Sequence, residues 1–349
     1  MRRPHLLIMR FSALGDVAMT VPVIRSLALA YPDMRITVLS RPFARAFFED
    51  LAPNVGFMEA DLKMEYRGFK GLNTLFRRLA AKHFTAVADF HDVLRSRWLR
   101  LRFCLSGCRV VHVDKHRSER RHLLSSSRRE LVMLPSPTDC YVEALAKLGF
   151  TVTPQFHSLF PAEGGNLNLL PAAIGPKKSY EQWIGVAPFA AHRGKSYPPK
   201  RMWEAITMII NHYPHARIFL FGNGTHERSV FDRWTAESSC CLAVYQHTES
   251  LHQELIIMSH LDVMISMDSA NTHLASLVAI PVVSIWGATH PCAGFMGWGQ
   301  SEDNAIQQDM PCRPCSIYGN KPCSRGDYAC IESIPPVRIF NKVKEIISE

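Results

Sequence analysis

Short apolar runs alternate with stretches of helical spacing along this chain, and they do so in two series. In the first, Leu6 to Arg10, Arg35 to Leu39, Val55 to Met58, Ala86 to Asp89 and Arg109 to Val113 read as strands. Between them Val17 to Ala30, Phe43 to Leu51, Leu72 to Lys82 and Val93 to Leu105 place apolar residues at helical spacing. Strands separated by helices of about 10 to 15 residues point to βαβ units and a parallel sheet. The second series has strands at Trp183 to Ala187, Arg217 to Phe221, Asp262 to Ser266 and Val282 to Ile285. Its helices are Lys200 to His212, Ser269 to Val278 and a final Val337 to Ser348. Asn166 to Ser179, with Pro171, Gly175 and Pro176, has little periodicity and reads as a linker. The expected architecture is α/β: two Rossmann-like halves, 1–170 and 171–335, facing each other across a cleft, with 336–349 as a closing helix. Ligands in such folds bind beyond the carboxyl ends of the strands, at helix N-termini. The loops after Arg10, Ala187, Phe221, Ser266 and Ile285 are therefore where chemistry is expected.

Charge separates the halves. Residues 1–170 hold 25 Lys and Arg against 15 acids, whereas the remainder holds 15 against 16. The excess peaks between His91 and Glu130, where Arg95, Arg97, Arg100, Arg102, Arg109, Lys115, Arg117, Arg120, Arg121, Arg128 and Arg129 stand against four acids. Such a patch favours an anionic partner (nucleic acid, anionic membrane or phosphorylated substrate), or is a solvated face that aids solubility. No apolar stretch approaches the ~20 residues of a spanning helix. At the start, Arg10 and Asp16 cut the apolar run short of a secretory signal. The expectation is a cytoplasmic protein whose ten cysteines are thiols or metal ligands rather than disulfides.

Four loops carry candidate sites. In Arg10-Phe-Ser-Ala-Leu-Gly-Asp-Val17, Gly15 permits a tight strand-to-helix turn and Asp16 stands at a helix N-terminus. A carboxylate there is either a helix cap or a general base. In Pro188 to Pro198, Arg193 and Lys195 flank Gly194 directly after a strand, which suits a phosphate, although the spacing is not that of a Walker A loop. Gly222-Asn-Gly224 is half of a dinucleotide fingerprint. Glu227 beyond it is either a ribose-diol acceptor or an acid in a first helical turn. In Ser266-Met-Asp-Ser-Ala-Asn-Thr-His-Leu-Ala275 a strand meets a helix, with Asp268 or Ser269 as cap. The N–H groups of residues 270 to 272 would form an anion site, to which His273 adds a donor unless it is a satisfied core histidine.

Together these segments resemble glycosyltransferase family 9, the heptosyltransferase family of lipopolysaccharide core assembly. The resemblance rests on Arg10 to Val17, Asp268 to Ala275 and Ile280-Pro-Val-Val-Ser-Ile-Trp-Gly-Ala-Thr-His-Pro291. It is supported by Ala88 to Ser96, Gly194 to Pro198 and Cys312-Arg-Pro-Cys315. It implies a GT-B fold with an acceptor-binding first half and a nucleotide-sugar-binding second half. It implies an inverting transfer of heptose, without a metal or other cofactor, from ADP-heptose to a lipid-linked lipid A or core saccharide. By the same resemblance Asp16 is the catalytic base, Lys195 binds the diphosphate with Arg193 beside it, Glu227 falls at the ribose, and Asp268, Ser269, Ala270 and His273 form the diphosphate and sugar site. Ser12, Arg95, Arg117 and Arg120 are the acceptor candidates. Ala270 and Asn271 replace the family's usual Gly and Pro, which bears on the donor sugar. An anionic acceptor of this kind would bring the protein to the cytoplasmic face of the inner membrane as a peripheral partner, with no role for nucleic acid. Closure about residues 166–179 would exclude water.

Cys312, Cys315, Cys323 and Cys330 stand apart from this reading. Four thiolates can hold a structural zinc, but the gap between the pairs is short for a zinc ribbon, and free or redox-sensitive thiols are the alternative. Zinc plus the basic face would instead suit a nucleic-acid-binding protein. A non-catalytic lipopolysaccharide-binding relative is the other alternative.

Overall fold

The computed structural model describes residues 3–125 and 131–348. In chain order its elements are β1 (His5–Met9), α1 (Leu14–Ala18), α2 (Val21–Ala30), β2 (Arg35–Ser40), α3 (Arg45–Phe48), β3 (Val55–Glu59), α4 (Gly68–Ala80), β4 (Ala86–Asp89), α5 (Leu94–Leu105), β5 (Arg109–His112), α6 (Arg117–Ser125) and α7 (Pro137–Ala146). There follow β6 (Gln182–Ala187), α8 (Pro199–His212), β7 (Ala216–Leu220), α9 (Thr225–Glu237), β8 (Cys241–Ala243), α10 (Leu251–Met258), β9 (Val263–Met267), α11 (Ala270–Leu277), β10 (Val282–Trp286), β11 (Ala305–Gln307), α12 (Ala329–Glu332) and α13 (Pro336–Ser348). They build two parallel sheets, of order β3-β2-β1-β4-β5 and β11-β10-β9-β6-β7-β8. The central strands β1, β4, β9 and β10 are buried at every position, so they read as mostly apolar runs rather than alternating ones.

The strands stand where the apolar runs place them, within a residue or two. The long helix expected from Val17 to Ala30 is two helices instead. Thr20 turns its hydroxyl back onto the Val17 carbonyl at 2.7 Å, and Pro22 in the first turn of α2 has no N–H to continue the ladder. The helix expected from Phe43 to Leu51 shrinks to a 3-10 turn and α3. Strands β8 and β11 and helices α6, α7 and α10 fall where no element was expected.

Residues 3–116 and 135–157 form one compact unit, and 117–125, 131–134 and 158–348 form the other. Leu7, Met9, Leu75, Leu79, Leu99 and Phe103 centre the core of the first. Ile184, Ile206, Ile218, Ile265, Ile339 and Val343 centre that of the second, so the closing helix α13 is part of the second unit rather than an appendage. The expected boundary at residue 170 is corrected on two counts. Leu123 packs with Cys292, Ala293 and Ile317, and the Leu134 N–H donates to the Cys292 carbonyl at 2.8 Å, which carries residues 117–125 and 131–134 to the second unit. The stretch expected to be a linker is also anchored there. Lys177 pairs with Asp262 at 2.6 Å, Arg217 donates to the Ile174 carbonyl at 2.6 Å, and Gln253 donates to the Leu169 carbonyl at 3.0 Å. Residues 166–179 are therefore not a free hinge.

Candidate functional site

In the first sheet the strand order reverses between β1 and β4, the place where a parallel α/β sheet opens a crevice at its carboxyl edge. The loops leaving these two strands hold Arg10, Ser12, Asp16 and His91. Arg10 is buried. Its guanidinium donates to the Phe90 carbonyl at 2.6 Å and pairs with an Asp16 carboxylate oxygen at 2.6 Å. That oxygen also accepts the Ala13 N–H at 3.1 Å, so Asp16 does cap α1. The Asp16 side chain nonetheless keeps 33% of its surface exposed, against 9% for Arg10. Capping and a role in chemistry are thus compatible at this carboxylate.

Ser12 lies 3.3 Å from Nε2 of His91. Burial, then the positive charges of Arg10 and Lys115, push this imidazole down to about 3, so it is neutral at pH 7. Its Nδ1 is buried with no partner among the described residues. The turn bearing His91 is rigid. Asp89, fully buried, accepts the N–H groups of His91 and Asp92 at 3.0 and 2.9 Å and takes Arg100 at 3.2 Å. Asp92 receives two bonds from Arg97, each 2.8 Å, and that contact holds its carboxyl down at about 2.

Several members of the expected basic patch are engaged within the unit. Arg97 and Arg100 are bound by acids, Arg102 stacks over Phe76 and Trp98, and Arg109 donates to the Leu148 carbonyl. Arg95 is exposed in the first turn of α5, next to the crevice. Arg117 and Arg120 belong to the second unit. Arg120 is buried there under Phe295, 4.6 Å from its ring centre. Arg128 and Arg129 lie outside the described residues.

The second sheet reverses between β6 and β9. Lys195, beyond β6, pairs at 3.0 Å with Asp268, beyond β9. The same carboxylate oxygen accepts the Thr289 hydroxyl at 2.7 Å. Asp268 directly precedes Ser269, the N-cap residue of α11, whose hydroxyl turns to Ser266 at 3.3 Å and does not cap the helix. The first turn, beginning at Ala270, therefore has no side-chain cap, and the Lys195 ammonium stands beside it. His273, buried, is the fourth residue of that helix. This is an anion-receiving arrangement: a helix N-terminus with a lysine held next to it.

Two expected partners are engaged elsewhere. Arg193 pairs with Glu332, donates to the Ser196 carbonyl at 3.0 Å and stacks 4.8 Å over Tyr328. Glu227 accepts the N–H groups of Asn223 and Gly224 at 2.7 and 2.8 Å through Oε2, which makes it the cap of α9. Gly194 serves a backbone approach within the protein: a Cβ there would meet that of Ala288 at 2.9 Å, and its carbonyl accepts the Ala288 N–H at 2.8 Å.

The cysteine-rich tail has a structural task that its spacing does not announce. Among the described residues no three His, Cys, Asp or Glu side chains come together as a metal-binding group, so the zinc reading finds no ligand cluster. Burial pushes the Cys330 thiol up to about 11. Between the first two cysteines, Arg313 is buried and donates to the carbonyls of Gly287, Gln308 and Thr289, the last at 2.8 Å. It thereby holds the loop that carries Thr289 to Asp268. Gly319, at a φ of +74°, lies so near the Lys195 stem that a Cβ would sit 2.4 Å from Cγ. Arg10, His91, Thr289 and Arg313 are the site residues that the sequence reading did not single out. Arg10 and Thr289 lay inside the motifs that were read, but nothing in a linear motif marks which side chain will be buried.

Residues 72–324 match the model of glycosyltransferase family 9 (heptosyltransferase). A lipooligosaccharide heptosyltransferase 2 from Campylobacter jejuni subsp. jejuni serotype O:6 is 22% identical over 166 residues, 44% of this chain and 49% of that protein. The chain thus spans about half the length of the curated relatives it matches. E. coli heptosyltransferase WaaC, solved with ADP, superposes with a TM-score of 0.68 at 15% identity, covering 98% of this chain and 99% of that one. A family 9 glycosyl transferase from Veillonella parvula gives 0.73 at 16% identity, covering 100% and 98%. At such identities the likeness is one of fold, and it is the GT-B fold that the motifs implied.

Proposed function

The chain belongs to glycosyltransferase family 9, and from that premise we propose that it is an inverting, metal-independent transferase moving heptose from ADP-heptose to an anionic, lipid-linked core saccharide. The observation that carries this reading is the pair of ion pairs at the two sheet reversals. In the first unit the more exposed partner is a carboxylate, and in the second it is an ammonium. An exposed, oriented carboxylate can accept a proton. A partly exposed ammonium beside an uncapped helix N-terminus can receive a diphosphate.

In this mechanism the acceptor hydroxyl oxygen attacks the anomeric carbon while Asp16 takes its proton. The bond from that carbon to the ADP oxygen breaks through an oxocarbenium-like transition state. Negative charge gathers on the departing diphosphate, where Lys195 and the first N–H groups of α11 stabilise it. Arg10 holds Asp16 in one orientation. Ser12 and Arg95 border the same crevice and are assigned to the acceptor. Ser269, Ala270 and His273 are assigned to the donor, as is Glu227, whose Oε2 is taken by the cap while its other oxygen has no recorded partner among the described residues. Arg193, bound to Glu332, is left out. The peripheral membrane contact and the cytoplasmic placement belong to this reading too.

Calorimetry with ADP, UDP and GDP tests it. The expected result is selective ADP binding, weakened in Lys195→Ala. If none of the three nucleotides binds, the assignment of the second unit as a donor site is wrong, and the transferase reading goes with it.

A further inference from the structure

One buried group at the first crevice takes no part in the proposed transfer: the imidazole of His91. The sheet brings it there. β1 and β4 run parallel with Met9 beside Asp89, so the loop carrying Ser12 and the turn carrying His91 leave the sheet side by side. Asp89 fixes that turn from within, and Arg10 bonds the Phe90 carbonyl directly before His91. The ring lies against Phe11, with centroids 5.8 Å apart. His91 is only 9% exposed, whereas Ser12 is half-buried. Asp16 belongs to the same turn as Ser12, because its carboxylate accepts the Ala13 N–H, the amide next to Ser12. One turn thus presents a serine hydroxyl and the carboxylate assigned as base.

The two ring nitrogens differ. Nε2 lies 3.3 Å from the Ser12 hydroxyl oxygen, and Nδ1 is buried with no partner among the described residues. A neutral imidazole has one N–H and one bare nitrogen. A buried N–H without an acceptor is the rarer kind of orphan. The strongest charges acting on the ring are the positive ones of Arg10 and Lys115, which suit a bare nitrogen better than an N–H. The proton is therefore assigned to Nε2, which donates to Ser12. The Ser12 oxygen, already an acceptor, then keeps its own proton to give to another oxygen in the crevice.

We infer that His91 is a positioning residue for the acceptor: it holds Ser12 as a hydrogen-bond donor beside Asp16, so that the acceptor sugar is gripped at two neighbouring oxygens. The attacking hydroxyl donates to Asp16, and the oxygen next to it accepts from Ser12. This rests on the transferase reading, in which Ser12 borders the acceptor's crevice. It adds a demand on the substrate: the attacking hydroxyl must have an oxygen beside it, as in a vicinal diol. His91 touches no reacting atom and acts through Ser12.

Two measurements test this. In nitrogen-15 spectra of the histidine-labelled chain at pH 7, the imidazole signals lost in His91→Asn should show a protonated Nε2 and a bare Nδ1, and Ser12→Ala should shift the Nε2 signal. A proton on Nδ1 overturns the proposal. In transfer from ADP-heptose to lipid A carrying its inner core sugars, Ser12→Ala and His91→Asn should each lower kcat by about fivefold to tenfold with ADP affinity unchanged, the scale of one neutral hydrogen bond. The double variant should be no slower than Ser12→Ala alone. His91→Gln, whose amide reaches the Nε2 position, should keep most of the rate. Additive losses, or equal losses in His91→Gln and His91→Asn, would make the histidine merely structural and overturn the proposal. Variants as fast as the natural chain overturn it too, and leave the transferase reading standing. A natural chain that binds no ADP and transfers nothing overturns the transferase reading, and with it the role given to His91, whatever the tautomer.

Discussion

The two units use the same device with the signs exchanged. At the reversal of the first sheet a buried arginine holds a carboxylate that reaches the crevice. At the reversal of the second a buried aspartate, 6% exposed, holds a lysine that is 17% exposed. A charge placed inside a protein must be matched, and the matching partner is thereby fixed in place. Which partner lies outside then sets the chemistry. The helices that follow differ in the same sense. Asp16 satisfies the start of α1 itself, whereas no side chain caps α11. On the proposed reading the first unit offers the proton acceptor, and the second leaves its backbone donors to the ligand.

The strongest challenge to this comparison is to remove the carboxylate of the first unit. Asp16→Asn should lower turnover by at least about 100-fold with ADP affinity unchanged, as measured by steady-state rates and calorimetry. Asp16→Ala should in addition lose about 3 kcal/mol of stability, because buried Arg10 is left without its carboxylate. An Asp16→Asn enzyme with normal turnover would dissolve the assigned difference between the units.

Lys195→Ala strips the second unit in the matching way. It leaves Asp268 with the Thr289 hydroxyl alone, so denaturant unfolding should show a loss of about 3 kcal/mol. ADP affinity should fall by about tenfold or more. A loss of stability without any loss of ADP affinity would mean that the pair is structural only.

His91 sharpens the comparison through pH. Its folded value, about 3, lies below the ordinary 6.5, so its protonation opposes folding. The stability held by the neutral ring is complete above about pH 6.5 and declines as pH falls toward 3. By pH 5 the deficit is about 2 kcal/mol. His91→Gln should therefore lose about 2 kcal/mol less than the natural chain between pH 7 and pH 5, followed by chemical unfolding. The effect should not appear in a variant of any group in the second unit's pair.

The smallest effect is expected at Glu227. Removing a capping carboxylate in Glu227→Ala should cost about 1 kcal/mol, whereas Glu227→Gln keeps the acceptor oxygen and should cost less. If the carboxylate also meets the ribose, both variants weaken ADP binding. If it serves only α9, neither does.

Much of the fold was legible because buried parallel strands are mostly apolar and the helices between them repeat at 3.6 residues. Both signals survive in a linear string. The site was legible to the level of its loops: Asp16, Lys195 and Asp268 all stand at carboxyl ends of strands beside a sheet reversal. What did not show was who binds whom. Arg193 and Lys195 are two residues apart and look equivalent in sequence, yet one pairs with Glu332 and the other with Asp268. The basic run from Arg95 to Arg129 looked like one patch, but its described members are divided among ion pairs, a ring stack and two units. The tail cysteines drew attention as ligands, while Arg313 between them does the organising.

From its own order of residues this chain determines two parallel sheets, their strands and the loops that carry charge, because burial and helical periodicity are local and repetitive. Only the folded structure decided which charge of each pair is the more exposed, and that residues 117–125 and 131–134 join the second unit. Those outcomes depend on contacts between residues far apart in sequence, and a residue's partner across such a distance leaves no mark on its own neighbourhood.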